Sequence, residues 1–442
     1  MTITKELTTQ DLERLALDAY LYFYPLVIME TTRRHATSGT MNNNELGTPM
    51  GMLLHAKEFP SAEFRTIVRP NFDTLYSTAW LNVSNEPYLF EIPEMGDRFF
   101  MFPIYDMWTD IIASPGTFTD GQGPYRYAIC SPKWQGVLPD GFERINVTTD
   151  TVWIIGRVET RNVVDYPNVH ALQKQMKLAP LSSWPEARAD AAEASFDTSV
   201  PPMLKVDQFS SREFFLLASQ LIAKYPAHAT DWGILARLKR IGFEVGTEFD
   251  LDAATPEIQV AFENVVLRVL STMMKRGATY SSLANGWTTW LDLGVYGNAY
   301  LKRAMIARLG LGANPQEESI YPTLQRDSAN EKLDGTKRYV LRFEADQLPP
   351  VDAFWSLTIY DRNGYHRTNE LDRFALGDRD ELTFGEDGSL ELYLQHERPS
   401  DANVSNWLPL PAEQFIACAR LYLPKQEALM QTWSMPPVHC LD

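Results

Sequence analysis

The stretch from Arg69 to Tyr76 supplies a guanidinium, an amide, a carboxylate and a phenol beside a predicted strand. Arg69 and Asn71 can bind a polar substrate. Asp73 and Tyr76 can exchange protons with that substrate. In a regular strand Asp73 and Tyr76 would face opposite sides, so they share a site only if a turn or bulge intervenes. The alternative is a structural turn, in which Asn71 and Asp73 bond nearby backbone amides and Arg69 pairs with Asp73.

A Tyr-Asp dipeptide ends a predicted core strand in each half of the chain, as Tyr105-Asp106 and as Tyr360-Asp361. A carboxylate in such a place can act as a general base if burial raises its pKa. Asp361 is followed by Arg-Asn-Gly, which predicts a turn and favours a structural role. Asp106 is followed by Met-Trp and is the stronger catalytic candidate. Tyr105 would then donate a proton or a hydrogen bond, and Tyr360 would contact the substrate.

The second half of the chain supplies three further binding candidates. Arg303 can clamp a carboxylate or carbonyl oxygen, and Trp355 and Trp407 can form flat apolar walls of a pocket. The alternatives are core packing for the tryptophans and a bridge from helix to sheet for Arg303. If these residues converge with those of the first half, both halves must fold together for the site to work.

Several other chemistries lack their sequence signals. The seven histidines show no HxxxH, HxH or ExxH spacing and the three cysteines show no CxxC spacing, so no metal site is predicted. The chain contains no GxGxxG, GxxxxGK[ST] or GxSxG motif. We therefore expect no nucleotide, metal or other cofactor and no serine nucleophile of the elbow type.

The composition limits the partners. The formal net charge is −17 and no run of Lys and Arg alternates with aromatic residues, so we expect neither nucleic acid nor a membrane as partner. A small, largely neutral molecule fits this negative field better, and homo-oligomer formation is left open. The sequence shows no apolar signal region, no apolar run of about 18 residues and no disulfide framework, so we expect a cytoplasmic protein.

The elements that must position these residues follow a β, α, β order. Strand signals broken by Asn, Gly and Pro turns dominate about 64–160 and 337–423, and apolar patterns at helical spacing dominate the start of the chain and its middle. We therefore predict a mainly β fold with an α insertion (α+β), in which a helical section joins two jelly-roll-like β-sandwich domains. The predicted parts are an N-terminal helical segment (1–60), a β-sandwich (61–180), the helical section (181–334) and a second β-sandwich (335–442).

The two β regions contain similar strings. Residues 99–106, which end in Ile-Tyr-Asp, line up with residues 354–361, which end in the same way. Residues 155–159 and 418–422 also correspond, and each precedes a predicted short helix. The pattern predicts a duplicated sandwich, and the alternative is that both regions simply follow the common strand-then-turn pattern of β proteins.

Many of these strings resemble one known family. The strings are Arg69–Ser77, Tyr105-Asp106, Ser131–Gly136, Trp153–Arg157, Tyr296–Ala304, Gly310–Pro315, Leu348–Asp361, Asp387–Leu390 and Asn406–Pro411. They are similar to the family named for two domains of unknown function, DUF1254 in the first half and DUF1214 in the second, and the similarity covers nearly the whole chain. The resemblance implies two jelly-roll-like sandwiches with a helical insertion. It implies no mechanism, because the family is named for lacking one.

The chain departs from this family at one position. After the first Tyr-Asp, members show a Gly- and Thr-rich stretch with an arginine, whereas Phe118 stands here where a basic residue is expected. If that loop contacts substrate in relatives, this chain would prefer a more apolar or less anionic substrate.

Two classes of function remain open. The first is a cofactor-independent enzyme, of hydrolase or lyase type, that uses Asp and Tyr as acid and base on a small, largely neutral organic molecule. The second is a non-catalytic ligand-binding or scaffold protein, in which the same residues form turns and packing. A deep site with a desolvated Asp106 or Asp73 near Arg303 or Tyr76 would favour the enzyme. Carboxylates saturated by backbone amides would favour the binding protein.

The absence of ligand spacing leads to a prediction about metal. We expect purified protein to carry no stoichiometric transition metal and to keep its melting temperature in EDTA. Elemental analysis and thermal denaturation measure both quantities. One equivalent of zinc or iron per chain would contradict the prediction.

Overall fold

The structure is a computed structural model that describes residues 7–38, 47–63, 69–191 and 196–442. It has a mainly β, α+β fold, in which two β-sandwiches accompany a group of helices. None of the helices in these ranges is both long and apolar enough to cross a membrane.

The described helices are α1 (Thr9–Thr37), α2 (Tyr166–Gln173), α3 (Pro202–Asp207), α4 (Ser211–Lys224), α5 (Trp232–Leu238), α6 (Pro256–Gly277), α7 (Tyr300–Leu309) and α8 (Gln426–Leu429). Helices α3 to α7 pack around α1. Thr8 and Asp11 form a capping box that begins α1. Residues 19–31 of α1 are all buried, because α3, α4, α5, α6 and α7 surround it. The predicted N-terminal helix is confirmed, and Pro25 lies inside it without ending it.

The first sandwich consists of two sheets that share one apolar core. One sheet has the order β1-β2-β9-β5-β6 with β4 beside β9, and the other has the order β10-β3-β7-β8. The strands are β1 (Leu54–His55), β2 (Thr74–Asn82), β3 (Tyr88–Ile92), β4 (Phe100–Met101), β5 (Ile104–Tyr105), β6 (Ile111–Ala113), β7 (Tyr125–Cys130), β8 (Glu143–Asn146), β9 (Thr151–Glu159) and β10 (Lys177–Pro180).

The second sandwich has the same plan. Its sheets have the orders β11-β12-β14-β20-β16-β17, with β13 beside β20, and β19-β18-β15-β21. The strands are β11 (Ser281–Ala284), β12 (Trp287–Trp290), β13 (Ser319–Ile320), β14 (Thr323–Leu324), β15 (Tyr339–Phe343), β16 (Val351–Asp361), β17 (Ala375–Gly377), β18 (Leu390–Gln395), β19 (Trp407–Pro409), β20 (Phe415–Pro424) and β21 (Val438–Cys440).

The main strands of the two sandwiches follow the same order in the chain and have corresponding neighbours, although the first sandwich has ten described strands and the second has eleven. In both, the long strand before the short helix pairs with the Tyr-Asp strand, as β9 with β4 and β5 and as β20 with β16. Each smaller sheet also ends in one parallel pair, β7 with β8 and β18 with β19. Two unrelated sandwiches would share neither the order nor the parallel pair, so the topology supports the predicted duplication.

The division into parts differs from the sequence prediction at its boundaries. Strands β11 to β14 lie within 181–334, which was predicted to be helical, and they belong to the main sheet of the second sandwich. Strand β1 lies within 1–60 but pairs with β2 of the first sandwich. These strands are only two to four residues long, too short for an alternating pattern to appear in the sequence. The predicted core strand that ends at Tyr105-Asp106 is split into β4 and β5, and Pro103, which has no N–H to donate, lies between them.

Two glycines at equivalent places in the sandwiches give a test of this fold. A methyl group on Gly116 would lie 2.6 Å from the carbonyl oxygen of Phe100, and one on Gly377 would lie 2.1 Å from that of Trp355. We expect Gly116→Ala and Gly377→Ala each to destabilise the protein by about 2 kcal/mol or more, because a rigid backbone atom must move. Calorimetric melting measures this effect.

The matched control is Gly233→Ala in α5, where an added methyl group meets no atom within 4 Å. Alanine favours helix over glycine by about 1 kcal/mol, so this variant should be neutral or slightly more stable. Equal melting temperatures for all three variants would contradict the assignment of close strand contacts at residues 116 and 377.

Candidate functional site

The structure distributes the predicted site residues over three places. Asn71, Asp73, Tyr76, Tyr105 and Tyr360 lie between the sandwiches, together with the backbone of Arg69. Asp106 and Arg303 lie where the first sandwich meets the helices. Trp355 and Trp407 lie in the second sandwich.

Asp73 is fully buried between the sandwiches. Its carboxylate accepts hydrogen bonds from Ser356 Oγ at 2.8 Å and from the Tyr422 hydroxyl at 3.2 Å, and it forms an ion pair with Arg379. All three partners belong to the second sandwich. Asp73 therefore joins the two halves, and its contacts leave little capacity for proton transfer to a substrate.

Asn71 forms the predicted turn ahead of Asp73. Its Oδ1 accepts the backbone N–H groups of Asp73 at 2.9 Å and Thr74 at 2.8 Å, and its Nδ2 donates to the Tyr76 hydroxyl at 2.6 Å. Arg379 is the ion-pair partner of Asp73. The structural alternative in the sequence analysis had expected Arg69 in this role. Arg69 instead contributes its carbonyl oxygen, which accepts from the buried Arg420 at 3.0 Å.

Two buried arginines occupy equivalent positions in β9 and β20, the corresponding strands of the two sandwiches. Arg157 lies opposite Tyr76 in the β2–β9 ladder, with its guanidinium 5.5 Å from the centre of the Tyr76 ring. In the second sandwich, the guanidinium of Arg420 lies 5.9 Å from the ring centre of Tyr321 and 5.8 Å from that of Tyr360. Each half therefore contributes an arginine packed against tyrosines to the interface.

The predicted tyrosines Tyr105 and Tyr360 lie in this same interface. The Tyr360 hydroxyl donates to the Pro70 carbonyl oxygen at 2.5 Å, and the Tyr105 hydroxyl donates to the Ala313 carbonyl oxygen at 3.3 Å. Burial raises the pKa of both phenols above the ordinary value of 10.0. Both side chains are therefore neutral hydrogen-bond donors near pH 7.

Asp106 lies at the end of β5, in a different cluster. Its Oδ1 accepts the backbone N–H groups of Trp108 at 2.9 Å and Asp110 at 3.0 Å. Its Oδ2 accepts from Thr148 Oγ1 at 2.7 Å and lies 2.9 Å from His228 Nε2. Asp106 is thus a saturated acceptor that orients His228, and these contacts argue against its use as a free base.

Asp361 forms the same turn in the second sandwich. Its Oδ1 accepts the backbone N–H groups of Asn363 at 2.8 Å and Tyr365 at 3.0 Å, and its Oδ2 pairs with Arg367 at 2.7 Å. The two Tyr-Asp carboxylates therefore share one structural role. They differ in the cation that each holds, which is Arg367 in one copy and the titratable His228 in the other.

His228 lies before α5, between three carboxylates and an arginine. Its Nδ1 is 3.7 Å from Asp110 Oδ2 and 3.5 Å from Arg303 Nη2. Burial alone would lower the pKa of His228, but the hydrogen bond and charge of Asp106 outweigh burial and raise this pKa above 6.5. Burial raises the pKa of Asp110 to about 6, against the attraction of Arg303. Asp110 can therefore change protonation near neutral pH, and the contacts of His228 favour its protonated form.

Arg303 extends from α7 and is 0% exposed. Its Nη2 donates to Asp110 Oδ2 at 2.8 Å and to the Gly297 carbonyl oxygen at 3.1 Å. Its Nε and Nη1 have no hydrogen-bond partner among the described residues. Buried donors without partners are unfavourable, so these two N–H groups are suited to receive an acceptor oxygen.

Asp231 fixes the helices around this cluster. It accepts hydrogen bonds from the hydroxyls of Tyr22 at 3.0 Å and Tyr300 at 2.9 Å and from the backbone N–H of His228 at 3.2 Å. The tyrosines come from α1 and α7. The cluster of Asp106, Asp110, His228, Asp231 and Arg303, called the His228 cluster below, therefore depends on the sandwich and on three helices.

Trp355 and Trp407 belong to the second sandwich and not to either cluster. The Trp355 ring packs 5.6 Å from that of Phe343 in the apolar core. Trp407 Nε1 donates to the Gln395 carbonyl oxygen at 2.8 Å, and its side chain borders a surface cavity of about 650 Å³ with Arg367 and His396.

Four functional candidates escaped the sequence analysis. His228 carries no spacing motif, so only the fold brings it to Asp106. Arg157 and Arg420 stand at matching places in the aligned strings 155–159 and 418–422, and this match was a usable signal. Arg379 lies outside all the strings that resemble the family, so no sequence signal marked it.

Comparisons with known proteins agree with this architecture. The model of the domain of unknown function DUF1254 matches residues 50–180, and that of DUF1214 matches residues 318–426. The crystal structure of the VPA0106 protein from Vibrio parahaemolyticus is 24% identical, with a TM-score of 0.71 over 98% of this chain and 100% of that chain, which shows a shared fold. A putative uncharacterized protein from Burkholderia cenocepacia is 12% identical, with a TM-score of 0.46 over 98% of this chain and 95% of that chain. No curated protein matches the sequence.

Asp106→Asn tests the coupling between Asp106 and His228. Asparagine keeps the Oδ1 acceptor of the turn but removes the negative charge beside His228, so the pKa of His228 should fall by about 1 unit, or ~1.4 kcal/mol. Because the pKa of folded His228 is raised, its stabilising contribution is present below 6.5 and is lost as pH rises through that raised pKa. NMR titration and melting curves should therefore show a greater loss of stability near pH 5.5 than near pH 8.5.

Asp361→Asn is the matched control, because it alters the same turn in the second sandwich where Arg367 replaces the histidine. The loss of stability in Asp361→Asn should not change with pH as His228 titrates. If both variants show the same pH profile, Asp106 does not control the protonation of His228.

Proposed function

The chain belongs to the DUF1254/DUF1214 family, and we propose that it is a cofactor-independent enzyme that applies acid–base chemistry to a small, largely neutral organic molecule. The site of this proposal is the His228 cluster. One observation carries it: Arg303 is fully buried, and its Nε and Nη1 have no hydrogen-bond partner among the described residues, next to His228, whose pKa is raised by Asp106, and Asp110, whose pKa burial raises to about 6. Perturbed titratable groups beside an unsatisfied buried cation are typical of catalytic sites.

The roles follow from the contacts. His228 Nδ1 accepts a proton from the reacting atom, while Asp106 stabilises the resulting imidazolium through Nε2. The Nε and Nη1 donors of Arg303 stabilise the negative charge that develops on a substrate oxygen. The proton then passes to the leaving group. Hydrolysis and elimination both need these two functions, so a hydrolase or a lyase fits the arrangement.

The charges favour a neutral substrate. Arg303 and the imidazolium that forms on His228 during the reaction balance two carboxylates of the cluster, and Asp110, whose pKa burial raises to about 6, can take up a proton at little cost. A strongly anionic substrate would meet the remaining carboxylates and the overall charge of −17.

The sequence candidates Asp73 and Tyr76 take a positioning role in this proposal. They join the halves of the protein at the interface, so the helices that carry His228 and Arg303 keep their place beside the first sandwich.

The three free cysteines, Cys130, Cys418 and Cys440, are consistent with a reducing compartment, and we propose the cytoplasm.

Binding without catalysis is the second candidate function. The saturated carboxylates of Asp73 and Asp106 favour it, as does the cavity of about 650 Å³ beside Trp407. A binding protein of this type would hold its ligand unchanged, whereas the enzyme would convert it.

The experiment is untargeted profiling of a metabolite extract from a deletion strain, before and after incubation with purified protein. At least one small neutral compound should disappear with wild type, and His228→Gln should slow this conversion by about 10²-fold or more, the scale of a lost general base. The control is His439→Gln, which changes an exposed histidine of β21 and should keep full activity.

Arg303→Met separates the roles further, since it removes the donors while retaining much of the length and apolar bulk of the side chain. We expect a fall in kcat with a smaller change in KM, because the donors act on charge that forms during the reaction. Full activity of folded His228→Gln would refute the acid–base site, and a ligand that is retained but never converted would establish the binding protein.

A further inference from the structure

The two copies of the duplicated sandwich differ at one informative position in the loop after the Tyr-Asp turn. The backbone N–H of Trp355 donates to Asp378 Oδ1 at 3.1 Å, and the equivalent N–H of Phe100 donates to Thr117 Oγ1 at 3.0 Å. Asp378 and Thr117 are therefore equivalent, and so are the residues that follow them. The following residue is Arg379 in the second sandwich and Phe118 in the first.

Arg379 reaches across the interface to the first sandwich. Its guanidinium lies 3.8 Å from the centre of the Phe354 ring, donates to the carbonyl oxygens of Asp73 at 3.2 Å and Thr160 at 3.0 Å, and pairs with the Asp73 carboxylate. The guanidinium of Arg379 is thus held by one aromatic face, one carboxylate and two carbonyl oxygens.

The other copy contains the same holding groups. Phe99 is equivalent to Phe354 in the aligned strands, and Glu318 precedes β13 as Asp73 precedes β2. The backbone N–H of Leu423 donates to the Glu318 carbonyl oxygen at 2.9 Å, as that of Thr160 donates to the Asp73 carbonyl oxygen at 2.9 Å. The aromatic ring, the carboxylate and the two carbonyl groups are therefore all repeated.

Among the described residues, no arginine occupies the place in this second set that Arg379 occupies in the first. Phe118 stands in place of the arginine, and it is 54% exposed. Glu318 is 1% exposed and forms no ion pair within 4.0 Å among the described residues. Among the described residues its carboxylate accepts only from Ser114 Oγ of the first sandwich, at 2.7 and 2.9 Å. A buried carboxylate without a cation is unfavourable, whereas its counterpart Asp73 is paired.

We propose that Glu318, the Phe99 ring and the carbonyl oxygens of Glu318 and Leu423 form a subsite for a guanidinium or primary ammonium group of a small ligand. The ligand group takes the place that Arg379 takes in the other copy. It enters past the loop that carries Phe118, where residues 118–120 are exposed. The subsite is separate from the His228 cluster and does not depend on its activity.

The titration of Glu318 gives the subsite a pH dependence. Burial raises the pKa of Glu318 to about 7; Ser114 and Arg157 lower it, and Glu317 and Asp120 raise it. A cation requires the ionised carboxylate, so binding should release a proton and strengthen as pH rises from 6 to 8.

Titration with methylguanidinium, followed by calorimetry and NMR, tests the subsite. Methylurea is the matched probe, because it has nearly the same shape without the charge. At pH 8 we expect methylguanidinium to bind with a dissociation constant of about 1 mM, a value attainable by a very small ligand, and methylurea to bind at least tenfold more weakly. Methylamine should also bind, as a primary ammonium.

Two variants test the subsite, one by removing its charge and the other by filling it with an arginine. Glu318→Gln keeps an acceptor for Ser114 but removes the charge, so the affinity for methylguanidinium should fall at least tenfold and lose its pH dependence. Phe118→Arg restores the arginine of the other copy, which should fill the subsite, abolish binding and raise the melting temperature. Phe118→Leu is the control and should bind as wild type does.

The proposal is overturned if methylguanidinium and methylurea bind alike, if neither cation binds wild type, or if binding survives both Glu318→Gln and Phe118→Arg. Since Phe118 is exposed, its variants should fold, and the Phe118 pair keeps the test decisive even if Glu318→Gln proves unstable.

Discussion

The buried ion pair between Asp73 and Arg379 is the interaction on which the arrangement of the two halves depends. A carboxylate with no exposure to water must be compensated by charge and hydrogen bonds, and every compensating side chain of Asp73 comes from the other sandwich. Separation of the halves would break the ion pair between two charged groups and the hydrogen bonds of two hydroxyls. The interface is therefore specific as well as apolar, and it fixes the first sandwich as a platform for the helices that bring His228 and Arg303 together.

The repeated topology of the two sandwiches places similar sequences in different surroundings. Both Tyr-Asp strands end in the same turn, in which the carboxylate binds two backbone amides and one cation. In the second sandwich the cation is a permanently charged arginine at the surface, and in the first it is a histidine covered by helices. The turn of the second sandwich is thus purely structural, and the helices beside the turn of the first sandwich complete a titratable cluster around the corresponding carboxylate.

The sequence predicted the long elements well, and it named only Asp106 and Arg303 among the residues of the His228 cluster. Strands of five or more residues and the helices beginning near residues 211 and 256 follow from their periodicity, whereas the short strands β11 to β14 carry too little pattern to be seen. The turn at Asp361 was predictable from Arg-Asn-Gly. The same turn at Asp106 was hidden by Met-Trp, so the residue was taken for a base. His228 could not be found, because it lies 122 residues from Asp106 and only tertiary structure joins them.

The burial of α1 has a consequence for how the chain is made. This helix is synthesised before the first sandwich, yet the helices that enclose it end at Leu309, after the whole first sandwich has emerged. Until then α1 has an apolar surface on every side and no native partner, while the sandwich between them can already fold. Biosynthesis therefore includes an interval in which the N-terminal helix must be shielded, by collapse onto the nascent sandwich or by a chaperone, and the closing of the helical layer is a late step of high contact order.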